Sequence, residues 1–238
     1  MHRRILGVIG GLGPMATVYF LQLVTAMEKV SSDQEHMPIY MQSIPGTPDR
    51  TAYILDHTKE NPLPALIRAG RSLREQGADF LAIPCITAHY FHSELSRHIG
   101  LPIVYLPGRT ADELAEAGVS CVGVLATSGT LESGIFVEPF DRRGIRMCVP
   151  DARDQAAVME IIYGQIKAGE PVDVDLFLEV GERLKEKGAR KLILGCTELS
   201  LLKRDFPDRL GEDYVDVLEV LARAAITWGS TSEKTEAS

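Results

Sequence analysis

Leu73-Arg74-Glu75-Gln76-Gly77-Ala78 and Leu184-Lys185-Glu186-Lys187-Gly188-Ala189 are near-copies of one another at an offset of 111 residues. The first closes a segment of helical period: Leu63, Leu66, Ile67, Gly70 and Leu73 fall at i, i+3, i+4, i+7 and i+10 after Asn61-Pro62, and Gly77 ends the pattern. A short apolar run follows each copy, Phe80 to Ile83 and Lys191 to Leu194, and then a cysteine at the same offset, Cys85 and Cys196. Upstream, Ile5-Leu6-Gly7-Val8-Ile9 resembles Cys121-Val122-Gly123-Val124-Leu125 at an offset of 116, a drift of only a few loop residues. The chain reads as two related halves.

Further apolar runs at Ile39 to Ser43, Ile103 to Leu106 and Arg146 to Val149 alternate with helical segments closed by Gly, Pro or Asn-Pro. That alternation predicts an α/β fold: two similar subdomains, each a parallel, roughly four-stranded sheet flanked by helices, related by a pseudo-two-fold axis. The expected halves are residues 1–112, carrying Cys85, and 113–228, carrying Cys196, with the C-terminal helix able to cross back to the first half. The polar, aperiodic stretch 229–238 is predicted to be a disordered tail.

With 238 residues and 45% hydrophobic residues, the chain is long enough to bury a sizeable core. A net charge of −8 and a pI near 5.3 offer no basic stripe for nucleic acid or anionic membrane. Ile5 to Met27 carries no formal charge, but Gly10, Gly11, Gly13 and Pro14 divide it into a strand and a helix rather than a membrane span or signal peptide. A cytoplasmic location is expected. The four cysteines then read as reduced thiols, not a disulfide framework. Cys121 and Cys148, inside predicted strands, read as small core residues.

Cys85 and Cys196 are different, because they stand at strand C-ends, where open parallel sheets bind ligands. A helix starting just after each would favour thiolate over thiol. Two such thiols facing one another across a cleft suit racemisation: one removes the Cα proton, and the other returns a proton to the opposite face of the planar carbanion. Thr87 and Thr197, next to the cysteines, are candidate donors for the carboxylate as it takes up charge. No organic cofactor is required by this scheme. No metal is expected either, since Cys85 and His89 have no further ligands at zinc-like spacing.

Gly10-Gly11-Leu12-Gly13-Pro14, Pro48-Asp49-Arg50-Thr51, Pro84-Cys85-Ile86-Thr87-Ala88-His89 and Leu194-Gly195-Cys196-Thr197-Glu198-Leu199 together resemble the aspartate/glutamate racemase family, in particular its aspartate racemase branch, from about Ile5 to Trp228. The resemblance implies an isomerase independent of pyridoxal phosphate, commonly a homodimer, with Cys85 and Cys196 as the acid/base pair and an amino acid or dicarboxylate as substrate. It also implies that Leu12 contacts substrate through the backbone, that Cys85, Ile86, Thr87 and Thr197 bind the α-carboxylate, and that Arg50 and Lys167 attract a second carboxylate, which points to aspartate or glutamate. His89, Glu198 and Thr127 are supporting candidates.

Two positions depart from the family pattern: Ile86 stands where an asparagine is usual, and Gly46 where a polar residue is common. Both bear on substrate choice, so a same-fold isomerase, racemase or decarboxylase acting on another small carboxylate stays open, as does a catalytically silent binder. A dinucleotide site at Gly11-Leu12-Gly13-Pro14-Met15-Ala16 is disfavoured, because the residue near Ser43 is not acidic and Pro14 lacks an N–H for a pyrophosphate.

Overall fold

A computed structural model of the chain describes residues 3–230. The first sheet holds β1 (Leu6–Gly10), β2 (Ile39–Ser43) and β3 (Phe80–Ala82) in the order β2-β1-β3. The second holds β4 (Cys121–Leu125), β5 (Arg146–Cys148), β6 (Lys191–Leu194) and β7 (Tyr214–Asp216) in the order β5-β4-β6-β7. Every pairing is parallel.

The repeat has a physical basis at three positions. The helices Leu63–Glu75 and Val174–Glu186 end alike, with Gly77 and Gly188 at φ +100° and +98°, a left-handed conformation that suits glycine. In both, the alanine after the glycine donates its N–H to the carbonyl of the leucine that opens the motif: Ala78 to Leu73 and Ala189 to Leu184, each at 3.1 Å. Gly7 and Gly123, mid-strand in β1 and β4, let these helices lie directly on the sheets. A Cβ would come within 2.5 Å of Leu81 at Gly7, and within 2.7 Å of Leu192 and 3.0 Å of Leu184 at Gly123.

The first half departs from the four strands expected of it. Ile103 to Leu106 forms only a single parallel bridge, Leu81 to Ile103, in the place that β7 fills in the second half. Pro102 carries no N–H, and the helix Leu106–Glu116 begins at once, so the edge cannot extend. The uncharged run Ile5 to Met27 becomes β1 and the helix Pro14–Met27. No helix among the described residues is long and apolar enough to cross a membrane.

The helix Val217–Ser230 packs against Pro14–Met27 and Leu106–Glu116, and the latter contains residue 112, where the division between halves was expected. One buried cluster therefore joins Leu6 and Phe80 to Val122, Ile193 and Leu221. Gly229 and Ser230, expected in a disordered tail, close this last helix instead. The Gly229 carbonyl accepts from the Arg4 N–H, and its missing side chain leaves room for Met37. The rest of the expected tail, 231–238, lies outside the described residues.

Candidate active site

The C-terminal ends of the two sheets face one small cavity of about 250 Å³. Its wall includes Leu12, Arg50, Cys85, Ile86, Thr87, Thr127, Lys167, Cys196, Thr197 and Glu198, all named from the sequence, together with Asp49, Thr51 and Tyr163. An outer cleft of about 940 Å³, formed by the Gly11–Ala16 turn, Pro45, Thr47, Ile166 and Leu201, shares Leu12, Asp49, Arg50, Lys167 and Glu198 with it. These five side chains therefore stand between the inner cavity and the outside.

Cys85 follows β3 and Pro84 and caps the 3-10 turn Ile86–Phe91; Cys196 follows β6 and Gly195, three residues ahead of the helix Leu199–Asp205. Both are buried. The expectation that a helix dipole lowers the thiol pKa fails at Cys196. Burial pushes this thiol well above its ordinary value, the nearby Glu198 charge pushes it further, and Lys167 offsets only part. The Cys196 Sγ donates to Glu198 Oε2 at 2.9 Å.

Glu198 is itself buried. Its Oε2 also receives the Thr197 hydroxyl at 3.4 Å, while its Oε1 has no hydrogen-bond donor and lies 3.7 Å from Lys167 Nζ. Lys167 rests 4.1 Å over the ring of Tyr163. Burial works against its charge, but Glu198 and the cysteine positions outweigh that, so its pKa is raised. The Tyr163 hydroxyl, pushed up to about 12 chiefly by burial, donates to Asp49 Oδ2 at 3.1 Å. Asp49 also caps the helix Arg50–Leu55 by accepting the Ala52 N–H.

Arg50 is buried, and its guanidinium holds the entrance turn: Nη2 donates to the Leu12 carbonyl at 2.7 Å, and Nη1 to Pro48 at 3.2 Å. The Leu12 carbonyl, part of the backbone expected to meet substrate, thus already accepts one hydrogen bond from Arg50. Arg50 Nε is buried and makes no hydrogen bond among the described residues. Burial opposes the Arg50 charge, but Cys85 and Asp49 more than compensate, so its pKa is raised.

Four threonine hydroxyls link the halves: Thr51 to Thr127 at 3.0 Å, Thr127 to Thr130 at 3.1 Å, and Thr130 to Thr87 at 3.2 Å. Thr51 and Asp49 belong to the Pro48–Thr51 motif, but nothing in the motif assigns them contacts. Tyr163 lies one helical turn before Lys167, on a π-helical stretch, Glu160–Ile166, that sequence periodicity does not announce.

His89 is the one expected residue absent from the cavity wall. Its Nε2 meets the Ile83 carbonyl at 3.2 Å, and burial lowers its pKa to about 3, so it stays neutral and holds the backbone turn before Cys85. Four positions after a residue is the same face of an α-helix but about 120° away in the 3-10 geometry found here. Among the described residues, no group of three or more His, Cys, Asp or Glu is arranged to hold a metal ion.

The Asp/Glu/Hydantoin racemase family model matches residues 9–225. The chain belongs to this family. It is 26% identical over 218 residues to a glutamate racemase of Limosilactobacillus reuteri, covering 90% of this chain and 75% of that one. It is 28% identical over 157 residues to a broad-specificity amino-acid racemase of Bacillus subtilis, covering 63% of this chain and 66% of that one. Among solved structures, Picrophilus torridus aspartate racemase superposes with a TM-score of 0.78 at 28% identity, covering 98% of this chain and 97% of the other. The family and the two-part α/β fold expected from the sequence are the ones found.

Proposed function

We propose that the protein is a cofactor-independent amino-acid racemase that moves the Cα proton between Cys85 and Cys196. The observation that carries this reading is that the two cysteines of the repeat, one from each half, line a single cavity. In the resting site Cys196 is a thiol bonded to Glu198 and acts as the proton donor. That leaves Cys85, in electrostatic contact with Arg50, as the base. The Cys85 sulfur takes the Cα proton, the electron pair moves into the carboxylate as an enediolate, and Cys196 delivers its proton to the other face. The reverse reaction exchanges the roles.

The developing charge meets donors already in place: the hydroxyl of Thr87, and Arg50 Nε, a buried N–H that makes no hydrogen bond among the described residues. The unpaired Arg50 donor supports aspartate or glutamate as substrate. A second reading, an amino acid with an uncharged side chain, is supported by charge balance, since Arg50 and Lys167 are matched by Asp49 and Glu198, and by the apolar Ile86 beside Cys85.

The test is loss of optical rotation, with Cα deuterium uptake from D2O, for both enantiomers of aspartate, glutamate and alanine, using wild type, Cys85→Ala and Cys196→Ala. Inversion by the wild type and by neither variant is expected. Inversion that survives loss of either cysteine would overturn the two-thiol assignment, and an inert wild type would favour the silent binder.

A further inference from the structure

We infer that Thr51, Thr127 and Thr130 are positioning residues: they form a one-way chain of hydroxyl hydrogen bonds that turns Thr87 into an oriented, polarised donor to the substrate carboxylate. The identity of that carboxylate rests on the racemase reading above; the direction of the chain does not.

The direction follows from counting lone pairs. A threonine hydroxyl has one proton and two acceptor sites. Thr127 Oγ1 accepts the Thr51 hydroxyl at 3.0 Å and the Thr130 N–H at 3.2 Å, which fills both sites. Its contact with Thr130 Oγ1 at 3.1 Å must therefore be a donation by Thr127. Between Thr130 Oγ1 and Thr87 Oγ1, 3.2 Å apart, geometry alone allows either to donate, but the buried Thr130 proton has no other acceptor once Thr127 is filled, so Thr130 donates to Thr87. Three protons are used inside the chain. The fourth, on Thr87, has no protein acceptor among the described residues, and Thr87 lines the cavity beside Cys85. Each bond polarises the next, so the last hydroxyl is a better donor than an isolated one.

The fold is shaped to make this chain. Thr51 is the second residue of the helix Arg50–Leu55, while Thr127 caps Ser128–Glu132 from the other half. These helices meet at Gly129, where a Cβ would lie 2.7 Å from the Thr51 Cα. Any side chain there would push the Thr51 hydroxyl out of reach of Thr127. All four threonines are buried, which limits the access of bulk water to the chain.

Thr130 separates relay from contact, because it is in the chain but not in the cavity wall. Thr130→Val keeps the shape and removes the hydroxyl, whereas Thr130→Ser keeps the hydroxyl. The experiment measures kcat for Cα exchange in each, and the Kd of the same amino acid on a Cys85→Ser/Cys196→Ser background. Expected are a fall in kcat of about tenfold for Thr130→Val, a Kd within about twofold, and recovery in Thr130→Ser, because a polarised donor matters most when the carboxylate gains charge. Unchanged kcat in Thr130→Val, or equal losses in both variants, would overturn the inference. If the wild type exchanges no amino acid, the racemase reading fails, and threonine hydroxyl protons in NMR decide the chain separately. Slowly exchanging protons on Thr51, Thr127 and Thr130, with the Thr87 proton shifted in Thr130→Val, would uphold it; rapid exchange at all of them would refute it.

Discussion

Lys167→Met is expected to lower stability more than most single changes in a partly exposed side chain, because of what it leaves behind. Lys167 Nζ lies 3.7 Å from Glu198 Oε1, and the two side chains are 26% and 6% exposed. Without the ammonium, Glu198 keeps the Cys196 and Thr197 donors on Oε2 but has none on Oε1. Breaking a buried pair from one side costs roughly 3–5 kcal/mol. Water reaching the Lys167 side places this case at the lower end, about 3 kcal/mol. For a chain of this length that is a fall in Tm of roughly 6–12 °C. Thermal melts of wild type, Lys167→Met and Lys167→Met/Glu198→Gln would measure it. The double variant should recover at least half of the loss, since the carboxylate is gone. A single variant melting with the wild type, or a double variant no better than the single, would refute the claim that Lys167 compensates the buried Glu198 side chain.

Cys196 should alkylate with iodoacetamide at a rate that keeps climbing above pH 9, because burial and then Glu198 raise its thiol; Glu198→Gln should move the climb to lower pH, and an unmoved profile would show that the carboxylate does not act on this sulfur. Asp216, raised by burial to about 6 from 3.8, binds its proton more tightly folded than unfolded, so the stability it contributes is full below about pH 4 and lost as the pH rises through 6. Asp216→Asn keeps an acceptor for Ser200 and Leu218, and should gain on the wild type by about 2 kcal/mol between pH 4 and pH 8; a pH-independent difference between their melts would contradict this. Gly123→Ala should cost about 1–3 kcal/mol in denaturant melts, because Leu192 and Leu184 occupy the space of the new methyl, and a neutral result would mean the helix can lift off β4 at little cost.

What the sequence reveals here is what local chemistry encodes. The repeated Leu-x-x-x-Gly-Ala motif is legible because helix termination at Gly77 and Gly188 needs a left-handed residue, and the cysteines follow at fixed distances. Ile103 to Leu106 has strand composition, yet the flanking Pro102 and the helix start at Leu106 reduce it to one bridge. Tyr214–Asp216 is too short to show a period and becomes a strand only because β6 lies beside it. In the site, a position reads well and an environment poorly. Cys196 stands just after β6, as its spacing in the repeat predicts, but its raised thiol depends on burial and on Glu198, which the dipole argument ignores. Thr130 and Tyr163 enter through contacts across 43 and 114 residues of chain, and no local signal carries those.

The most direct test of the central claim uses the isotope rather than the rate. The wild type is given one pure enantiomer, of whichever amino acid turns over fastest, in D2O and stopped at low conversion, and the deuterium in product and in residual substrate is read by mass spectrometry after chiral separation. Two thiols on opposite faces require that the returned hydrogen come from a group already equilibrated with solvent, so the product should be almost fully deuterated while the residual substrate keeps protium. Protium carried into the product would mean that a single group both removes and returns the proton, and would contradict the account.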